Sequence, residues 1–416
     1  MDTIDIISIL ITVSALFSYI NYRYIKLPTA IGLMAISMAL SIILMILVGL
    51  GVDTVAAAEK FVSRIDFHDA LMEGMLSFLL FAAALDVDLS DLTKQKWTIL
   101  GLATGGVIIS TVLIGTSLWL LLELLGFKID LVHALLFGAL ISPTDPIAVM
   151  GILKKAGIPK SLEIKVAGES LFNDGVGVVV FLVILGIVTS GHDLVASDVV
   201  FLFLQEAVGG LLLGLILGYV CYRLLISVDQ YQVEVLLTLA LVMGGYSLAN
   251  TLHLSGPLAM VIAGLMIGNN GRTFAMSDHT RANLDSFWHL TDYILNAVLF
   301  VLIGLEVLIL NFDQTIIWIA PLAIGITLLG RFISVAGLVS IMRPFRQFTD
   351  NAIKIMTWGG LRGGISVALA LSIPASDERN LILVMTYSVV VFSILVQGLT
   401  IEKLVRGGKK FGQIND

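Results

Sequence analysis

The chain has 416 residues, of which 58% are apolar and 13% charged, with a net charge of −7 and a mean hydropathy of +1.00. Because soluble domains carry about 25% charged residues, this composition excludes an ordinary soluble protein and indicates an all-α polytopic membrane protein. The single cysteine, Cys221, excludes a disulfide framework and a cysteine metal cluster.

Thirteen apolar segments of about twenty residues follow one another along the chain, and this is the length that a bilayer core of about 30 Å requires. We number them spans 1 to 13. Their approximate centres are Leu10, Leu40, Phe78, Val112, Leu140, Val178, Gly214, Leu241, Val261, Leu299, Leu328, Ser366 and Leu395. The apolar run after Met1 has no basic region and no small-residue cleavage site before it ends, so we interpret it as span 1 and not as a signal peptide.

Along the chain, loops rich in lysine and arginine alternate with loops that hold few of these residues. The basic set holds Arg23, Lys26, Lys94, Lys96, Lys154, Lys155, Lys160, Arg223, Arg272, Arg281, Arg343, Arg346, Lys403, Arg406, Lys409 and Lys410, and the other set holds Lys60, Arg64, Lys128 and Arg379. Because basic residues collect in cytoplasmic loops, we predict a cytoplasmic C-terminus and an external N-terminus in a plasma (inner) membrane.

Spans 5 and 12 contain residues that interrupt helices. Span 5 carries the string Ser-Pro-Thr-Asp-Pro at residues 142–146, and span 12 carries Gly-Gly-Leu-Arg-Gly-Gly at residues 359–364. Proline and clustered glycine destabilise helices, so we predict that both spans unwind near mid-membrane; simple kinks are the alternative. Asp145 could then neutralise positive helix ends, and Arg362 negative ones.

The positions of these two breaks indicate a transport site. If span 7 is a linker, spans 1–6 and 8–13 form two inverted units of six, and each break lies in the fifth span of its unit. Paired interrupted helices at matching positions of inverted halves are typical of the binding site of a secondary transporter.

Span 6 contains the polar string Gly-Glu-Ser-Leu-Phe-Asn-Asp at residues 168–174. Ser170 and Asp174 share one helix face, and their hydroxyl and carboxylate oxygens suit a small hard cation. A proton or a cation can satisfy the Asp174 carboxylate, but not both, which predicts exchange at one site. For Asp174 the structural alternative is a helix–helix hydrogen bond. For Asp145 the sequence supports ion binding and helix-end neutralisation about equally.

The second polar face of span 6 carries Glu169 and Asn173. A buried charge without a partner is strongly destabilising, so we predict that Glu169 forms a structural salt bridge with Arg362. Ser170 and Asn173 could each be packing polar residues. Arg331 in span 11 is a second buried cation, which we expect to pair with a core carboxylate or a helix end.

In order and spacing these strings resemble the NhaP-type branch of the monovalent cation:proton antiporters, relatives of the animal sodium/proton exchangers. The resemblance covers nearly the whole chain and includes Leu27–Thr29 and Leu299–Glu306. It implies an ion site of Asp174, Ser170, Asn173, Asp145 and the backbone of Thr144, with Asp174, Ser170 and Thr144 holding transported Na⁺. It also implies the Glu169–Arg362 salt bridge. One departure is Ala82, which occupies a span-3 position where many relatives carry glutamate.

The resemblance also implies a homodimer in which a six-helix core moves as an elevator against interface helices. The implied divisions are interface helices at 1–90 and 229–311, core helices at 91–190 and 312–406, a linker helix at 191–228 and a short cytoplasmic tail at 407–416. An Asn-Asp pair such as Asn173–Asp174 goes with electroneutral one-for-one exchange.

We therefore predict an electroneutral Na⁺/H⁺ antiporter that also accepts Li⁺, serving sodium transport and pH homeostasis. A K⁺/H⁺ antiporter on the same scaffold is the nearest alternative, followed by a passive cation channel and a membrane sensor without transport. The expected partners are monovalent cations, protons, the lipid bilayer and a second copy of the chain. We expect no enzyme activity, no cofactor and no nucleic-acid partner; no Walker-type phosphate-binding string occurs in the sequence.

Overall fold

The structure, a computed structural model, describes residues 3–50, 65, 67–145, 147–190, 196–309, 314–349 and 351–408. These residues form helices and no strand, which confirms the all-α prediction. Lys60, Arg64, Pro146 and the tail beyond residue 408 lie outside the described residues.

Spans 1 to 6 have the following bounds. Span 1 is Thr3–Ile20 with a π-helical end at Asn21–Ile25, span 2 is Thr29–Gly49, span 3 is Phe67–Asp69, Ala70–Met75 (π) and Leu76–Leu85, span 4 is Leu89–Leu100, Gly101–Gly105 (π) and Gly106–Leu124, span 5 is Leu131–Ile141 and Ile147–Ala156, and span 6 is Lys160–Ser190.

Spans 7 to 13 complete the chain. Span 7 is Ala196–Ile226, span 8 is Tyr231–Thr251, span 9 is Gly256–Met266 with Ile267–Gly271 (π) and Arg272–Phe274, span 10 is Asp278–Leu305 with the 3₁₀ turn Glu306–Ile309, span 11 is Gln314–Met342, span 12 is Ala352–Trp358 and Gly364–Leu371, and span 13 is Asp377–Phe392, Ser393–Gln397 (π) and Gly398–Gly408.

Every predicted span centre falls within one of these helices. Ten of the helical segments in the described residues are long and apolar enough to cross a bilayer, and they correspond to all the predicted spans except 5, 9 and 12. Spans 5 and 12 each consist of two short helices, so both predicted interruptions are confirmed. Because the backbone groups in such breaks lack helical partners, they need other protein groups at that depth.

The spans pack in two groups. One group consists of spans 4, 5, 6, 11, 12 and 13, which include both interrupted helices and contact one another. The other group consists of spans 1, 2, 3, 7, 8, 9 and 10, which pack mainly among themselves. Gly177 of span 6 lies against the break in span 5, because an added Cβ there would overlap the Pro143 ring. The predicted domain boundaries and their inverted symmetry stay predictions.

Candidate ion-binding site

The unwound parts of spans 5 and 12 touch each other directly. The backbone N–H of Asp145 donates to the carbonyl oxygen of Leu361 over 2.8 Å. The Arg362 guanidinium donates through Nη1 to the carbonyl oxygens of Ser142 and Pro143, at 2.5 and 2.8 Å. These carbonyls follow the first half-helix of span 5, whose end carries partial negative charge. Arg362 therefore neutralises a helix end, as the sequence predicts.

Asp145 makes the reciprocal contact with span 12. The second half-helix of span 12 begins at Gly364 with Gly363 as its N-cap, and an added Cβ on Gly363 would overlap the Asp145 carboxylate. The carboxylate thus lies against a helix start, where unpaired N–H groups and the helix dipole favour negative charge. Glycine at this position is what permits the close approach.

Three polar residues of the predicted site form a buried hydrogen-bond network between spans 5 and 6. Asn173 donates through Nδ2 to Thr144 Oγ1 at 2.9 Å, and the Thr144 backbone N–H donates to Asn173 Oδ1 at 3.2 Å. The hydroxyls of Thr144 and Ser170 are 3.1 Å apart. Because Asn173 uses both ends of its amide on Thr144, it holds the broken segment against span 6.

Asp174 and Asp145 open into one cavity of about 290 Å³. Asp174 is only 8% exposed, and apolar residues of spans 3 and 10, including Leu76 and Leu299, line the wall of the cavity. The cavity also reaches charged residues at the helix ends around the loops between spans 3 and 4 and between spans 5 and 6, namely Asp88, Asp91, Lys154, Lys160 and Glu163. The structure therefore brings all five residues of the predicted ion site together beside a path to one side of the protein.

The predicted salt bridge needs a correction. Glu169 pairs with Arg331 and not with Arg362: Arg331 Nη1 lies 2.5 Å from Glu169 Oε1, and the two side chains are 4% and 2% exposed. Arg331 also donates to the carbonyl oxygen of Met356 at 3.2 Å, which fixes the end of the first half-helix of span 12. The physical reason is that Arg362 belongs to an unwound segment, so its nearest acceptors are the backbone carbonyls of the other break.

The span-3 residues that line the cavity include Ala83, the neighbour of Ala82. Ala82 turns away and packs in a separate apolar cluster with Trp288. Asp86, one helical turn beyond Ala82, also lines the cavity. No cluster of three or more His, Cys, Asp or Glu suited to a resident metal occurs among the described residues. The side-chain oxygens that line the cavity come from carboxylates, and the hydroxyls of Thr144 and Ser170 lie in the network beside it.

A family model described as "Sodium/hydrogen exchanger, transmembrane" matches residues 11–407 of the chain. The chain belongs to this family. Members similar to it include the Na⁺/H⁺ antiporter NhaP of Pseudomonas aeruginosa, which is 51% identical over 408 residues, 97% of this chain and 96% of the relative. The Na⁺/H⁺ antiporter NhaH of Halobacillus dabanensis is 37% identical over 402 residues, 94% of each protein. The resemblance to the NhaP-type branch is confirmed.

A solved structure shares the fold of this family member. The sodium proton antiporter MjNhaP1 from Methanocaldococcus jannaschii superimposes with a TM-score of 0.77 at 20% sequence identity, covering 97% of this chain and 99% of the other. The ten membrane-length helices and the family membership identify the chain as a multi-pass membrane protein.

Proposed function

We propose that this chain is a secondary antiporter that exchanges one Na⁺, or Li⁺, for one H⁺ across the plasma membrane. The observation that carries the proposal is the cavity shared by Asp145 and Asp174 at the crossing of two interrupted helices. The relatives NhaP and NhaH, both named Na⁺/H⁺ antiporters, support the same ions. They also support a transporter in preference to an enzyme.

The proposed ligands are the carboxylates of Asp174 and Asp145, the Ser170 hydroxyl and the Thr144 backbone carbonyl. Hard oxygen donors suit alkali cations. The helix start at Gly364 stabilises the negative charge of Asp145, so the exchange of a proton for a cation is assigned to Asp174 alone. One positive charge then replaces another, and the cycle moves no net charge. Asn173 positions Thr144, and the Glu169–Arg331 pair holds spans 6, 11 and 12 together.

The direction in which the cavity opens supports an inward-facing state. Its lining includes Lys154 and Lys160, which belong to the basic set that we predict to be cytoplasmic. In the proposed elevator cycle, spans 4–6 and 11–13 move against the remaining spans. Two contacts between the groups must then break. His68 Nδ1 lies 3.0 Å from the carbonyl oxygen of Ala368, and the Tyr387 hydroxyl donates to the carbonyl oxygen of Ile303.

Proteoliposomes with an imposed pH gradient test this function. Adding Na⁺ or Li⁺ outside should collapse the gradient, measured with a pH-sensitive fluorophore, and Asp174→Asn reconstituted at equal density should not respond. A response to K⁺ with none to Na⁺ would favour the potassium antiporter. Gradient collapse with no cation, or cation flux without proton movement, would contradict antiport.

A further inference from the structure

Span 10 presents a carboxylate and an amide, one helical turn apart, to a second cavity. Asp292 and Asn296 line this space of about 690 Å³ together with residues of span 2 and of the second half-helix of span 5. Asn296 Nδ2 donates to Asp292 Oδ1 at 3.0 Å. The cavity therefore lies at the boundary between the two packing groups, on the side where the first cavity opens.

The hydrogen bond to Asp292 uses the amide nitrogen of Asn296 and leaves its side-chain oxygen unsatisfied. Asn296 is 8% exposed, and its Oδ1 atom is buried and has no hydrogen-bond partner among the described residues. Flipping the Asn296 amide would not satisfy this oxygen, because Oδ1 would then face the Asp292 carboxylate, which is also an acceptor. A buried unsatisfied oxygen costs about 1–3 kcal/mol, which favours a cation or an ordered water at this place.

Charges connect Asp292 with the site described above. Asp292 lies within electrostatic range of Asp145, Asp86 and His289. His289 Nδ1 in turn lies 3.6 Å from Asp86 Oδ2. Asp145 and Asp86 both line the first cavity, so a cation held at Asp292 is close enough to feel the negative charge of that cavity.

The second cavity also contains basic residues, which would oppose a cation. Arg406 is paired with Glu402 at 2.5 Å, so its charge is largely compensated. Lys26 and Lys155 are both exposed, and charges in contact with water are screened within about 10 Å. Asp292 is therefore the carboxylate of this cavity that forms no salt bridge among the described residues, and the unsatisfied Asn296 oxygen lies one helical turn from it.

We propose that Asp292 and Asn296 form a second site for a monovalent cation, in which the ion waits before it moves to Asp145 and Asp174. The ligands are the Asp292 carboxylate, Asn296 Oδ1 and water. Span 10 belongs to the group that does not carry Asp174, so the cation leaves this site before the core moves. The inference rests on the proposed antiport function and adds an approach route for its cation.

Kinetics separate this role from a structural one. Asp292→Asn and Asn296→Leu should each raise the KM for Na⁺ about three- to tenfold, as expected for the loss of roughly 1 kcal/mol of attraction, with kcat within about twofold of the wild type. Asp278→Asn is the matched control: its carboxylate is fully exposed, and its KM should stay the same. A fall in kcat at constant KM in the two span-10 variants would overturn the proposal.

Thallium, a monovalent cation with strong anomalous scattering, locates the site directly. Crystals of Asp174→Asn soaked in Tl⁺ should show a peak between Asp292 and Asn296, and the double variant Asp174→Asn/Asp292→Asn should lose it. A wild-type crystal with a Tl⁺ peak at Asp174 and none at Asp292 would overturn the second site and leave the antiport function intact. Failure of the antiport function itself is seen separately, as absence of cation-driven proton flux in the wild type.

Discussion

Glu169 in span 6 forms its ion pair with Arg331 in span 11, and both side chains are almost completely buried. The pair joins two helices of the group that carries Asp174, and Arg331 extends the link to span 12 through the Met356 carbonyl. Arg362, a second buried arginine, donates hydrogen bonds from its guanidinium to the carbonyl oxygens of Ser142 and Pro143. The two arginines thus have separate tasks, one on a carboxylate and one on a helix end.

This division predicts a specific coupling. Glu169→Ala and Arg331→Ala should each lower the free energy of unfolding by about 3–5 kcal/mol, because each leaves a buried charge without its partner. The double variant should lose much less than the sum. Thermal unfolding in detergent measures the cycle, and the control cycle of Glu169→Ala with Arg362→Ala should be closer to additive. Stronger coupling in the control cycle would assign the pair to Arg362.

The residues that could be predicted from sequence are those whose role follows from their own segment. Pro143 and the glycines at 359–364 interrupt helices wherever those helices lie, so the two breaks and the half-helix ends at Asp145 and Arg362 were predictable. The partner of Glu169 was not, because two arginines stand at similar depth and the choice depends on how span 11 is rotated. In span 3, the run Phe81–Leu85 is uniformly apolar. Without a polar face to set the rotation, the sequence does not indicate which of Ala82 and Ala83, about 100° apart, lines the cavity.

Gly363 should be indispensable for the position of Asp145. Gly363→Ala puts a methyl group where the Asp145 carboxylate lies, so we expect exchange activity to fall by at least about tenfold, equivalent to roughly 1.4 kcal/mol in the transition state. Gly325→Ala in span 11 is the matched control, since an added Cβ there meets nothing within 4 Å. Equal activities of the two variants in proteoliposomes would show that the contact with Gly363 does not matter.

Asn173 is expected to act through Thr144. Asn173→Ala removes both hydrogen bonds to that residue and leaves the buried Thr144 N–H without an acceptor, at a cost of about 1–3 kcal/mol. The melting temperature should fall and the KM for Na⁺ should rise together. Ser388→Ala, which removes a hydroxyl bonded only to its own helix at the Val384 carbonyl, serves as the comparison. A change in KM with no loss of stability would make Asn173 a direct ligand.

The stoichiometry of one cation per proton follows if a single carboxylate binds both ions in turn. If Asp174 alone trades a proton for a cation, turnover moves no net charge, and a membrane potential does no work on it. Sodium-driven proton flux should therefore be the same in proteoliposomes clamped at 0 and at −100 mV, a range worth about 2.3 kcal/mol per unit charge, with potassium and valinomycin. A steep rise of the flux with potential would mean that a second charge moves, and Asp145 would be the first residue to replace.

The most direct test of the account is the apparent KM for Na⁺ as a function of pH, measured in proteoliposomes at zero potential. A proton and a cation that compete for Asp174 require the KM to rise as the pH falls, approaching about tenfold per pH unit where the proton occupies the site, because cation binding then releases one proton. The maximal rate at saturating Na⁺ should stay nearly constant over that range. A KM independent of pH, with a maximal rate that falls in acid, would contradict competition at a single aspartate.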